Sequence, residues 1–85
     1  MNDSITSCIV YKNLDGTVQA YNITFSFADI TVPLAPTVVF VGNSMVSNIN
    51  DLVEVKKVAC QQANAIKSLY LNATAITDLN GPVTL

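Results

Sequence analysis

Histidine is absent from this 85-residue sequence, and four residues in all are Lys or Arg. Without His the chain lacks the commonest general base and the commonest neutral metal ligand. A cysteine nucleophile at Cys8 or Cys60 would need another activator, and spacing places no base beside either. Nucleic-acid phosphates call for a cationic footprint. A net charge of −2, with three of the four basic residues on one predicted helix, provides none. Charged residues make up 12% of the chain, against about 25% in an average soluble domain. Asn, Thr and Ser fill the polar share, giving a surface on which little charge repulsion keeps copies apart. Association is therefore expected.

Long apolar runs are also missing. The longest, Ile30 to Val41, is interrupted by Pro33 and Pro36 and is too short to span a bilayer, so no membrane insertion is expected. The opening MNDSITSCIV carries an early acidic residue and a short, broken apolar stretch, unlike a signal peptide. Cys8 is expected on the strand face away from the helix and Cys60 on the helix shoulder, which makes both free thiols acting as small apolar filler.

The clearest feature present is Asn50 to Leu71. At 100° per residue, Leu52, Val55, Ala59, Ala63, Ile66 and Tyr70 share one stripe, while Glu54, Lys57, Gln61, Asn64 and Ser68 lie opposite. This predicts an amphipathic helix over about residues 51–71. Asn50 or Asp51 supplies the cap, with Glu54 three residues after Asp51 in capping-box spacing. Asp51 and Glu54 at the start and Lys67 near the end suit the helix dipole. Ala59 and Ala63 thin the helix where it must approach a sheet.

Ser4 to Lys12 and Thr17 to Phe27 alternate as strands around Asn13-Leu14-Asp15-Gly16, a turn with glycine in the left-handed position. Pairing Asn13 with Thr17 sets Ile5 opposite Phe25, Ser7 opposite Ile23, Ile9 opposite Tyr21 and Tyr11 opposite Gln19. The apolar residues then share one face, and Thr6, Cys8, Asn22, Thr24 and Ser26 take the other. In residues 29–42, the two internal prolines make Asp29 to Pro36 an edge or a connection. Thr37 to Val41 (TVVFV), apolar on both faces, reads as a strand covered on both sides; the alternative for Ile30 to Val46 is an arm packing on a neighbour. Asp78 to Gly81 repeats the first turn's chemistry and predicts a short terminal hairpin over 73–85.

The expected fold is thus α+β: one domain over residues 1–85, with a hairpin at 4–27, an edge and strand at 29–42, and one helix laid across the apolar face of a mostly antiparallel sheet. Asp15 and Asp78 have turn roles and Asp51 and Glu54 capping roles, nothing pairs Asp29 with another carboxylate for acid/base work, and neither Asp-containing turn extends to a calcium loop. Val39 to Ser44 lacks the later Gly and the Lys-Ser/Thr pair of a phosphate loop. No catalytic, cofactor or metal residue is assigned, and no small-molecule substrate is expected. What remains is surface: Thr6, Asn22, Thr24 and Ser26 on the hairpin, and Ile30, Val32 and Leu34 on the proline-flanked edge, as candidate protein contacts. The expected role is a non-enzymatic structural or assembly protein, such as a small virion (phage capsid) decoration, cement or connector subunit. It would act on itself or on a larger assembly, in a virion or the cytoplasm. The alternative is a small monomeric binding module or inhibitor of one protein target.

Overall fold

A computed structural model of the chain describes residues 3–30 and 37–85. Among these, three strands and one α-helix appear: β1 (Ser4–Lys12), β2 (Val18–Ser26), β3 (Thr37–Gly42) and α1 (Leu52–Leu69). The sheet is antiparallel in the order β1-β2-β3, and α1 packs against β3 on one face. This is the α+β arrangement expected from the sequence.

The hairpin turn forms as its residues require. Gly16 sits at φ 88°, where a side chain would be strained, and its amide donates to the Asn13 carbonyl at 2.9 Å. Asp15 accepts hydrogen bonds from both the amide and the hydroxyl of Thr17, which holds its carboxyl below the ordinary carboxylate range. Asn13 pairs with Thr17 through an amide-to-carbonyl bond of 2.8 Å.

Beyond the turn, the strand pairing differs from the simple alternation. Ile5 does oppose Phe25, but Cys8 opposes Ile23, Ile9 opposes Asn22, Val10 opposes Tyr21 and Tyr11 opposes Ala20. The ladder slips by one residue between Tyr11 and Lys12, where Gln19 is extra, and slips back between Ile5 and Ser7, where Thr6 is extra. The cause lies in Gln19. Continuous alternation would put it on the core face, whereas the bulge leaves it exposed and lets Val18 pack on the core. A one-residue slip reverses the faces of everything it spans. Cys8 and Val10 therefore share the helix side with Ile23 and Tyr21, and Ser7, Ile9 and Tyr11 turn to the other side. The expectation that Cys8 faces away from the helix is corrected accordingly.

The core is Tyr21, Ile23 and Phe25 from β2, Val39 and Val41 from β3, Ile49, and Val55, Ala59 and Ala63 from α1. Ala59 and Ala63 are where the helix was expected to be thin. Leu52, placed on the same stripe, is instead 64% exposed, because α1 lies toward β3 and its first turn overhangs open space beside β1. Thr37, the one buried polar residue among the described residues, bonds through its hydroxyl to the Tyr70 hydroxyl at 2.7 Å.

Asp51 caps α1, its carboxylate accepting from the amides of Val53 and Glu54 at 3.1 and 3.3 Å. Glu54 does not close a box on Asp51. Its carboxylate accepts from the Ser47 hydroxyl at 2.6 Å and the Asn48 amide at 2.9 Å, so it fastens the connection that leads into the helix, and these bonds lower its pKa. α1 ends at Leu69 and tightens into a 3-10 turn over Tyr70–Asn72.

Two further expectations are corrected. Residues 73–85 form no strand; a turn does close, with the Asn80 amide donating to the Thr77 carbonyl at 2.9 Å, one residue earlier than the repeated chemistry suggested. Residues 74–85 are exposed throughout, so little burial offsets the entropy of ordering a second hairpin. Thr37–Gly42 pairs with its own β2, which removes the arm reading for those residues. It is also not covered on both sides: Thr37, Val39 and Val41 are buried, but Val38 and Phe40 face outward and are exposed.

Candidate interaction surface

The sheet face opposite α1 is built in rows set by the register. Tyr11, Ala20 and Gly42 form the first, Ile9, Asn22 and Phe40 the second, and Ser7, Thr24 and Val38 the third, with Ser26 beyond. Ile9 and Phe40 are 52% and 56% exposed. The Phe40 ring folds along its own strand onto Gly42, so close that a Cβ there would stand 3.1 Å from ring carbon Cε1. Ala20 is buried but lies outside the core cluster, in the row between Tyr11 and Gly42. The result is a face with bulky apolar rings at one end and Ser7, Thr24 and Ser26 beside Val38 at the other.

Of the residues singled out from the sequence, Asn22, Thr24 and Ser26 come together on this face. Asn22 donates from Nδ2 to the Tyr11 hydroxyl at 3.2 Å, and its Oδ1 is buried with no hydrogen-bond partner. Thr6 stands at the bulge and directs its hydroxyl at the Thr24 carbonyl at 3.4 Å. Ile30 lies apart, half-buried at the turn after β2, with its amide bonded to the Phe27 carbonyl. Val32 and Leu34 lie outside the described residues, as does most of the proline-flanked edge. The face is far more apolar than the Thr/Asn composition implied. Sequence reasoning missed Ile9, Tyr11, Val38 and Phe40 because the unmarked bulges moved the first pair across the sheet. The double-sided apolar pattern of TVVFV was the available signal for the second pair.

A second concavity lies on the helix side. Asp3, Ile5, Phe27, Lys56, Cys60 and Lys67 are among the residues lining an open cleft of about 480 Å³ between the start of β1 and α1. Lys67 Nζ bonds Asp3 Oδ2 at 2.6 Å, approaches Asp29 at 3.7 Å and sits 5.6 Å from the centre of the Phe27 ring. Asp3 Oδ1 accepts from the Ala28 amide at 2.8 Å. The Lys67 bond and then the Ala28 bond hold the Asp3 carboxyl below its ordinary range, and Asp3 in turn raises the Lys67 ammonium. Asp3 and Lys67 are thus engaged in tying the chain to itself. Cys60 at its wall and Cys8 nearby on β1 are free and exposed.

Among the described residues, no three Cys, Asp or Glu side chains gather where a metal ion could sit, and no helix is long and apolar enough to cross a membrane. Compared with protein-family models, curated proteins and solved structures, the chain matches none of them, so what it does has to be reasoned from its own residues.

Proposed function

We propose that the chain is a non-enzymatic assembly subunit. It packs against copies of itself or against a larger protein shell, as a virion decoration, cement or connector subunit does, in a virion or in the cytoplasm. The observation that carries this reading is the surface left in water. The chain exposes 6468 Å², whereas a folded monomer of its 9.1 kDa exposes about 4,900 Å². The excess, about 1,600 Å², is twice one partner's share of a standard specific interface.

The shape agrees. The molecule is a slab of 40 × 39 × 19 Å with a radius of gyration of 15.0 Å, against about 12 Å for a compact chain of this length. Large apolar side chains stand on the exposed parts: Ile9, Val38 and Phe40 on the sheet, and Ile76, Leu79 and Val83 after the helix. The three strands carry a single charged residue, Lys12, so nothing in them repels a neighbour of the same kind.

Size fractionation of lysate from the native source, followed by detection of the chain, tests the reading. The chain is expected in particles far larger than itself. Recovery wholly as a monomer would overturn the proposal and favour a small binding module or inhibitor acting on one protein target.

A further inference from the structure

We propose that the sheet face opposite α1 is covered by the same face of a second copy, two sheets stacking about a two-fold axis into a sandwich with the helices outside. The inference rests on the assembly reading and names its first contact. Strands solvated on one face alternate apolar and polar residues, whereas strands buried on both faces are apolar throughout. β3 is of the second kind, yet α1 covers one side of it: Val39 and Val41 are buried while Val38 and Phe40 are not. β1 adds Ile9 and Tyr11 to the same uncovered face.

A second copy suits this face for three reasons. The surface exposed beyond that of a compact monomer exceeds what one side of a standard interface needs. The face carries no charge, so an identical face meets no like-charge repulsion. Its relief suits a two-fold axis across the strands, which sets Tyr11 over the second copy's Ser7 end and the Phe40 ring, folded onto Gly42, over the second copy's Val38. Asn22 lies at the centre on the middle strand, where it meets Asn22 of the second copy. Sheets stacked this way lie about 10 Å apart, a gap that aromatic and β-branched side chains fill.

Sedimentation of the purified chain over a concentration series tests the pairing. The expected species is a dimer. Phe40→Asp should weaken it by roughly a hundredfold or more, since it places a charge from each copy in a dry interface. Leu52→Asp, exposed on the helix side, should leave the dimer unchanged. Circular dichroism checks that each variant folds. Should Phe40→Asp not fold, Thr24→Cys in a Cys8→Ser, Cys60→Ser background gives a second readout. Thr24 is on the central strand two residues from the axis, about 17 Å from its counterpart by strand rise and sheet spacing, so a bis-maleimide of that span should link two copies. A monomer at all concentrations, a dimer indifferent to Phe40→Asp, or a dimer that Thr24→Cys cannot link would each overturn the sandwich. A purified monomer that is nonetheless found in large native particles would discard the sandwich and keep the assembly reading, with a different protein covering the face.

Discussion

β1 and β2 are nine-residue strands of one hairpin, similar in apolar content, and their fates differ completely. β2 buries Ala20, Tyr21, Ile23 and Phe25, while every residue of β1 is exposed. Composition does not separate them, since β1 offers Ile5, Ile9, Val10 and Tyr11 for burial. Position does. β2 has a strand on either side and belongs to the cluster packed with α1, whereas β1 is an edge and α1 leans away from it toward β3. An apolar side chain is buried by what stands over it, and in this fold the helix is wide enough for two strands of three.

The largest expected effect measures this contrast directly. Ile23→Ala removes a core side chain and should cost about 2–5 kcal/mol, enough to unfold much of a domain this small. Val10→Ala, on the same face one strand away and 42% exposed, should cost no more than about 1 kcal/mol. Urea midpoints compared at low protein concentration would show it. Equal losses would break the comparison, because they would mean that β1 is covered in solution.

Next comes the helix that makes the difference. Ala63 is buried against the sheet, and Ala63→Leu should cost roughly 1–3 kcal/mol by overpacking, while Asn64→Leu on the exposed side should be nearly silent. A tolerated Ala63→Leu would show that α1 can lift from β3 or slide over β1. Asp51→Ala, which frees the amides of Val53 and Glu54, should cost about 1 kcal/mol by thermal unfolding. No measurable loss would show that the Glu54 bonds to Ser47 and Asn48 hold the helix start alone.

How much of this was legible beforehand follows from where the information sits. The helix stripe apart from Leu52, a cap at Asn50 or Asp51 (it is Asp51), and the Gly16 turn are local, each decided by residues within a few positions, and appear as read. The register of β1 depended on which of Val18 and Gln19 the core would accept, and most of that core comes from residues 39 and beyond. Leu52 failed for the same reason. Periodicity places it on the apolar stripe, but the lateral position of the helix decides whether the stripe's end meets the sheet. The second hairpin failed because a turn sequence can close without strands to join. The interaction face was half legible: Asn22, Thr24 and Ser26 were placed on it, and its apolar surround was hidden by the bulges.

The smallest effect concerns how the loosely held strand is fastened at its start. Just before β1, Asp3 bonds Lys67 on α1 and the Ala28 amide after β2, a polar tie in a region where apolar contact is sparse. The Asp3 pKa is lowered in the fold, so its contribution is present above the ordinary carboxylate value and lost as pH falls through the lowered one. The Lys67 pKa is raised, so its contribution is full below the ordinary ammonium value and lost as pH rises through the raised one. Between these limits the tie is constant. Asp15 and Glu54 are lowered too and share the acid limb, so wild-type titration alone does not isolate Asp3. Asp3→Asn does, because it keeps an acceptor for the Ala28 amide and removes the charge. The difference in unfolding midpoint between wild type and Asp3→Asn should be present at about pH 7 and shrink toward zero at about pH 2, below the carboxylate range. High salt should diminish it at neutral pH, since both groups touch solvent. Amide exchange along β1, compared with β2, should quicken in the variant if the tie holds that strand. A difference that survives full acidification would show that the charge pair with Lys67 is not what Asp3 contributes.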